Sequence, residues 1–397
     1  MDKNCPDTHV GELLKAVKNK RNILIANHHN PDPDSLGAAF GLRHLIHSNF
    51  KSKKVTIGYP GIIGRAENKT MVSQLRIPAK KFIDLKKHKF DGLILCDTQP
   101  PLGNPEFDEL PLLAVLDHHP SKSKKSKSAF LDIRTHYGAT CSIVTEYLRQ
   151  CGAQFDARVA TALYYGIKAD IYDRARKKSD ADFEAMRFLF PKISISWISR
   201  IENPRLSSDY FCVHNEAIAR ARVYKNAVVT FIEEVSSADF IPQISDYLMR
   251  LENMQWALVV GRKDKQVFYS IRTIGRKKSA GTVARNMAQG RKGTGGGHDN
   301  SAAGRIELAS IEDEKPMNLI NGLIAKFLSE IDLDTGSGRP IGGDNLKTVA
   351  PNPVMDKPKD DKAKEAAKPK ESDKPKDGGT SKESGSPKEP EKPKSAE

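Results

Sequence analysis

The sequence predicts an α/β protein built as a larger N-terminal parallel-sheet domain, a smaller α/β C-terminal domain and a disordered tail. Three observations carry that expectation. Short, unbroken apolar runs alternate with segments of helical period. The alternation restarts near residue 209, after a polar stretch containing Pro204. From 351 onward the chain is almost entirely Lys, Pro, Glu, Asp, Ser and Gly.

In the first part, 22–26, 92–96 and 112–116 are apolar runs too short for helices, the pattern of strands buried on both faces. Apolar residues at helical spacing place helices at 35–47, 139–150, 158–168 and 183–190. Strands that alternate with helices build a parallel sheet covered by helices. The second part reads as helix 210–223, strand 227–234, helix 241–251, and strands 256–260 and 267–273. A glycine-rich loop and an amphipathic helix at 319–331 follow. Pro204, in the polar 203–208 stretch, marks the hinge. The expected division is 1–200, a linker at 201–208, 209–335, and a tail at 336–397 that lacks the apolar residues to offset its ordering entropy. No repeat of solenoid period is present.

The chain has 397 residues and a formal charge of +14, enough length for two hydrophobic cores. From 351 to the end, 12 lysines stand against 11 acidic residues. Nearly all the excess positive charge therefore lies on residues 1–350, which points to an anionic partner such as nucleic acid or nucleotide phosphate. Five cysteines without a CxxC pair argue against a disulfide framework or a zinc ribbon and for a reducing compartment. No stretch approaches the apolar length of a membrane span, and the N-terminus lacks the apolar core of a signal peptide. A soluble, non-secreted protein is expected.

Ligands of parallel α/β sheets bind beyond the carboxyl ends of the strands. The first apolar run is followed by Asn27-His28-His29-Asn30-Pro31-Asp32-Pro33-Asp34, the second by Asp97, the third by Asp117-His118-His119. Each alone has a plain structural reading: an Asp after a strand commonly caps a turn or helix, and a His pair often lies on the surface. Three at equivalent topological positions would crowd carboxylates and imidazoles at one sheet edge, which requires a positive partner. Carboxylate with imidazole and no thiolate suits manganese, magnesium or iron. A pair of divalent ions is the arrangement that serves phosphoryl chemistry.

These motifs resemble those of the DHH phosphoesterase family, named for the triplet seen here as Asp117-His118-His119. His28-x-x-x-Asp32-x-Asp34 matches the family's opening motif, and Asp97 stands at its bridging aspartate. The helix ending in Asp170 matches the fourth motif. There the family commonly continues Asp-Thr-Gly and this chain reads Asp170-Ile171-Tyr172, so Asp173 is an alternative to Asp170. The resemblance implies two divalent ions, manganese foremost. His28, Asp32 and Asp97 would hold one; Asp34, Asp97, His118 and Asp170 would hold the other. Asp117 would orient a histidine, and His119 would face the substrate phosphate. Gly295-Gly296-Gly297-His298, followed by Ala302-Ala303-Gly304, resembles the DHH-associated C-terminal domain, with Arg272 as its substrate arginine. Backbone N–H groups of the glycines, Arg272 and His298 would grip an anion. Hydrolysis would proceed by a hydroxide on the ions, with no protein nucleophile, in a cleft between the two domains. Cys96 reads as a packed core thiol.

In organisation the chain resembles standalone short-oligonucleotide exonucleases, which degrade nano-RNA and also dephosphorylate 3′-phosphoadenosine 5′-phosphate. The expected partner is therefore a short single-stranded nucleic acid or nucleotide, the expected location the cytoplasm, and a homodimer is compatible. The runner-up is a soluble phosphodiesterase of cyclic or linear di-adenylate. Arg276-Lys277-Lys278 suggests a DHH-type pyrophosphatase, which the Gly297-His298 loop opposes. A non-enzymatic nucleotide sensor or RNA-binding fold predicts lost ligand positions. Lys122, Lys124, Lys125 and Lys127 form either a steering patch or, more commonly for such runs, a solvated loop. Tyr137, Tyr164, Tyr172 and Phe268 are candidates to stack on a base.

Overall fold

The three apolar runs become neighbouring strands. The computed structural model describes residues 8–120, 129–171, 179–275, 278–308 and 316–342. The lysine run at 121–128, Tyr172, Asp173, Arg276, Lys277 and the tail from 343 lie outside them. Among the described residues, β1 (Asn22–Ala26), β2 (Lys54–Tyr59), β3 (Ala79–Lys81), β4 (Gly92–Cys96), β5 (Leu112–Asp117) and β6 (Phe130–Ile133) form one all-parallel sheet in the order β3-β2-β1-β4-β5-β6. The order reverses between β1 and β4. Side chains alternate across the sheet as the pleat requires. Ile23 and Ile25 enter the larger core, while Leu24 and Ala26 enter a smaller one with Phe82, Phe107 and Val115. Both faces are apolar, which is why β1, β4 and β5 read as solid runs.

Helices α1 (His9–Val17), α2 (Pro33–Asn49), α3 (Ala66–Leu75), α4 (Pro105–Asp108), α5 (Thr140–Gln150), α6 (Ala157–Ile171), α7 (Asp180–Leu189) and α8 (Ile195–Glu202) accompany this sheet. The crossing of α2 and α6 sets the site. A β-carbon on Gly166 would meet Cys141 Sγ at 2.5 Å, the Pro33 carbonyl oxygen at 2.9 Å and Asp34 Cα at 3.1 Å. Gly37 meets the Ala162 carbonyl oxygen equally closely, at 2.6 Å. These glycines let two helix backbones touch, so that Asp34 on α2 and Asp170 on α6 reach the same place. Gly166→Ala is expected to cost about 1–3 kcal/mol of stability by overpacking and, by displacing Asp34, to weaken the binding of any divalent ion held there. Chemical denaturation with metal titration checks both; unchanged metal affinity would refute the link.

The second pattern begins at α9 (Ser208–Ala219). β7 (Arg222–Tyr224), β8 (Ala227–Ile232), β9 (Trp256–Lys263), β10 (Gln266–Thr273), β11 (Gly293–Gly297), β12 (Ser301–Glu307) and β13 (Arg339–Pro340) form a mixed sheet ordered β11-β12-β10-β9-β8-β7-β13. Among the described residues of this sheet, only β8 and β9 pair in parallel. α11 (Ala280–Ala288) and α12 (Pro316–Glu330) close one face, and α9 with α10 (Phe240–Leu248) closes the other.

Three expectations change here. The helix expected to run to 223 ends at Ala219, and Val223 lies in β7, paired with Val228. The expected glycine loop is strand β11, paired with β12 from Gly293–Ile306 to Gly297–Ala302. Residues 336–342, assigned to the tail by composition, include β13, and Ile341 packs against the α9–α10 side, its N–H bonded to the Ala221 carbonyl at 3.1 Å.

Candidate metal centre and its cleft

β1, β4 and β5 end at one edge, and they bring their terminal residues together beside the reversal of strand order, where open α/β sheets form their binding crevice. Asp97 is the centre of the cluster. It follows β4 with φ 60°, and its N–H is bonded to the Leu116 carbonyl at 2.8 Å. Its buried carboxylate accepts a hydrogen bond from Thr140 Oγ1 at 2.9 Å. It lies 3.5 Å from His28 Nε2, 3.6 Å from His118 Nε2 and 3.8 Å from His119 Nδ1.

Two groups gather around it. His28, Asp32 and Asp97 offer ligand atoms within 4.8 Å of one another, as do Asp34, His118 and Asp170. A third group, Asp97, His118 and His119, joins them. The first group has the members of one ligand set that the sequence resemblance implies; the second has the members of the other except Asp97, which stands beside it at His118 Nε2. Asp170 is in the cluster, 3.6 Å from His118 Nε2.

Each acid is held by its own local structure. Asp32 caps α2, its Oδ1 accepting the Ser35 N–H at 3.0 Å, with Pro33 in the first turn. The capping acid of the first motif is therefore Asp32. Asp34 is fully buried and accepts the N–H groups of Thr140 at 2.7 Å and Cys141 at 2.8 Å, at the N-terminus of α5, where backbone dipoles favour negative charge.

The two imidazoles that face the acids are set by backbone carbonyls. His118 Nδ1 lies 3.3 Å from the Tyr137 oxygen, and His28 Nδ1 lies 3.0 Å from the His29 oxygen. A carbonyl accepts and cannot donate, so in each neutral ring Nδ1 carries the proton and Nε2 is the acceptor nitrogen. Acceptor nitrogens then face carboxylate oxygens, an arrangement that a cation between them satisfies. The charge balance agrees. Burial opposes charging of His28, but Asp32 and Asp97 outweigh it and hold its pKa well above the ordinary value. Burial, then the charges of Asp97 and Asp32, push the Asp34 carboxyl well up against the pull of Cys141. The donor set fits hard divalent cations.

Chelation therefore has a signed pH effect. A raised folded-state pKa gives stability that is complete below the unfolded value, 3.8 for Asp34 and 6.5 for His28, and that is lost as pH rises through the raised value. Asp117, held below its ordinary value, acts oppositely and at the acid end. The chelated protein is expected to lose thermal stability as the pH rises above the ordinary values of first Asp34 and then His28, and added manganese to remove most of that loss by replacing the protons. Melting curves across this range, with and without manganese, test the expectation; a flat chelated profile would contradict it.

Asp117 ends β5 and is buried. Its Oδ1 accepts from His118 N at 2.8 Å and His119 Nδ1 at 2.9 Å, and its Oδ2 accepts from Gln99 Nε2 at 2.6 Å. Burial opposes its ionisation, but the His119 and Gln99 donors outweigh it. Asp117 thus fixes the ring of half-exposed His119. Cys96 and Cys141 are buried beside the cluster, and burial pushes both thiols well up, so neither is a nucleophile.

A cavity of about 890 Å³ opens from this cluster to the second sheet. His28, Asp32 and Asp170 line one side, and Arg272, Thr273 and Asn300 line the other. Gly295, Gly296, Gly297 and His298 are not among its lining residues. Instead Gly295 and Gly297 lie against α11, where β-carbons on Gly295 and Gly281 would meet the Ala284 and Gly297 oxygens at 2.2 and 2.4 Å. Tyr137, Tyr164 and Phe268 do not line the cavity either. Tyr137 packs over Arg134, Tyr164 against Phe190, and Phe268 against the α9–α10 side, whereas Tyr165 faces the cleft. Sequence reading passed over Gln99, Thr140 and Tyr165. The first stands two residues after Asp97, the second starts a helix, and the third sits inside the Asp170 motif.

Residues 22–167 match the DHH family N-terminal domain, and residues 225–327 match the DHHA1 domain. The chain belongs to the DHH family. It is 31% identical over 324 residues to an uncharacterized protein of Methanocaldococcus jannaschii, covering 79% of this chain and 65% of that protein. It is 28% identical over 163 residues to a probable bifunctional oligoribonuclease and PAP phosphatase of Streptococcus mutans, covering 40% of this chain and 48% of that one. The chain thus spans about two thirds and about half of these relatives' own lengths. An exopolyphosphatase-related protein from Bacteroides fragilis shares the fold, with a TM-score of 0.65 at 16% identity, over 82% of this chain and 97% of that one. Among the described residues of this DHH protein, no helix is long and apolar enough to cross a membrane.

Proposed function

We propose that this DHH protein is a divalent-metal-dependent phosphodiesterase that releases mononucleotides from short single-stranded RNA and also takes 3′-phosphoadenosine 5′-phosphate. The observation that carries the reading is the pair of acid–imidazole groups meeting at Asp97 on the wall of a cleft with Arg272 opposite. The relative of Streptococcus mutans named for both activities supports the substrate class.

His28, Asp32 and Asp97 would hold one ion, and Asp34, His118 and Asp170, with Asp97 between, would hold the second. Two bound manganese ions would polarise the phosphoryl oxygens and lower the pKa of a coordinated water. The chain's own groups do the rest. Tyr137 and His29 carbonyls keep both ring Nδ1 atoms protonated, so that Nε2 serves as ligand. Asp117 keeps His119 turned so that it can hold a proton for a phosphate oxygen. Residues 1–200 would carry this centre and 209–335 the nucleotide, gripped through Arg272. Gly295, Gly296, Gly297 and His298 would serve by seating β11 against α11, not as the anion cradle itself. A cytoplasmic location belongs to the same reading, supported by the family resemblance and by the free thiols of Cys96, Cys141, Cys151 and Cys212.

Mononucleotide release by the manganese-loaded protein tests this, with His118→Ala as control and four substrates: a 5′-phosphorylated RNA dinucleotide, 3′-phosphoadenosine 5′-phosphate, cyclic di-adenylate and long single-stranded DNA. Fast dinucleotide turnover, lost in the variant, is the expected result. Preference for cyclic di-adenylate would replace the substrate; no turnover with manganese bound would overturn the proposal.

A further inference from the structure

One carboxylate in the cleft wall is gripped by two arginines that come from different parts of the chain. Asp246, on α10, places Oδ2 3.0 Å from Arg65 Nη2 and Oδ1 2.5 Å from Arg272 Nε. Arg65 stands just before α3, beside the first sheet, and Arg272 lies on β10 of the second. Arg272 is anchored further, its Nη1 donating to Ser270 Oγ at 3.0 Å and to the Ile271 carbonyl at 3.1 Å. Arg250, four residues after Asp246, lines the same cavity. Gly64 beside Arg65 is pressed against α10's cap residue: a β-carbon there would collide with Asp239.

A staple between the two parts is the plain reading, and it is a weak one. Side-chain exposures of 45% for Arg65 and 42% for Asp246 leave their ion pair screened by water, where such pairs contribute little. The geometry has a better use. Guanidinium forks bind carboxylate and phosphate oxygens alike. Two of them converging on one carboxylate, inside a cavity large enough for a nucleotide, mark a place where a phosphate fits.

We propose that Arg65 and Arg272 together form a phosphate site, and that Asp246 is an internal anion that fills it until a substrate phosphate displaces it. This rests on the phosphodiesterase reading insofar as the phosphate belongs to a nucleotide in this cleft. The ligand class is a nucleotide with a phosphate besides the one being cleaved, as in a 5′-phosphorylated dinucleotide or a nucleoside 3′,5′-bisphosphate. Asp246 sets the threshold. A nucleoside without that phosphate has nothing to exchange for the carboxylate, so the site selects for the second phosphate.

Calorimetric titration of the full-length protein with adenosine 5′-monophosphate and with adenosine, each in manganese and again in chelator, tests the proposal. The wild type is expected to prefer the monophosphate in both buffers. Arg65→Ala should weaken monophosphate binding about tenfold, the loss of one charged hydrogen-bond donor, and leave adenosine unchanged. Arg65→Lys, which keeps the charge without the fork, should fall between and serves if the alanine variant does not fold. Asp246→Asn should tighten monophosphate binding about fivefold, because the competitor loses its charge. A staple predicts the reverse sign or no change for Asp246→Asn, and either result overturns the proposal. So does monophosphate affinity that vanishes in chelator, which would place the phosphate on the metals. Failure of the hydrolase reading is separable, because it shows as absent turnover while binding in chelator still reports the arginines.

Discussion

Asp97→Asn is expected to lower mononucleotide release by on the order of 10³-fold, with the fold intact. Asn keeps the shape of Asp, tolerates the φ of 60° at this position and still accepts the Thr140 hydroxyl through its Oδ1. Secondary structure and denaturation midpoint should therefore hold. What changes is charge. Among the described residues, Asp97 is the one acid that belongs both to the His28–Asp32 group and to the His118–His119 group, so a single neutralisation removes negative charge from both. Metal content measured beside kcat/KM checks the result. Wild-type turnover in the variant would show that Asp97 is a structural acid.

The largest expected stability loss lies at a residue outside the cluster. Arg134 donates to Asp132 through Nε at 2.8 Å and Nη2 at 2.8 Å, and through Nη1 to Glu146 at 2.8 Å and Tyr137 Oη at 2.9 Å. Asp132 is buried and also accepts the Tyr147 hydroxyl at 2.5 Å. Arg134→Met leaves that carboxylate without its counter-charge, which costs about 3–5 kcal/mol for a buried pair broken on one side. A second effect follows along the chain. Tyr137 donates its N–H to the Arg134 carbonyl and accepts Arg134 Nη1 at its hydroxyl, and its own carbonyl orients His118. Loss of such an orienting contact lowers metal affinity by about 10–100-fold. Urea denaturation reads the first effect and manganese titration at a temperature where the variant is folded reads the second. A destabilised variant with unchanged metal affinity would confine Arg134 to the fold.

What sequence reading recovered follows from burial. β1, β4 and β5 lie at the centre of the sheet with apolar residues on both faces, and their ends carry the acids, so one pattern exposed both the fold and the cluster. β2 was missed because Lys54 and Thr56 interrupt its apolar residues, and β3 because Ala79–Lys81 is too short and too basic to read as a strand. α11 packs through Ala280, Gly281, Ala284 and Ala288, small residues that make contact without a strong apolar signal. Gly293–Gly297 reads as a loop from composition, but it pairs with β12 as a strand, and at Gly295 the α11 backbone stands too close for a side chain. Arg65 and Asp246 stand 181 positions apart and belong to no motif, so their pairing is visible in three dimensions alone.

The proposed role of Asp97 is to join two metal sites into one centre. Manganese titration of the wild-type full-length protein, followed by electron paramagnetic resonance, measures that directly. Two ions bound per chain, with the exchange-coupled spectrum of a bridged pair, is the predicted result. A single ion, or two that remain magnetically independent, would contradict it.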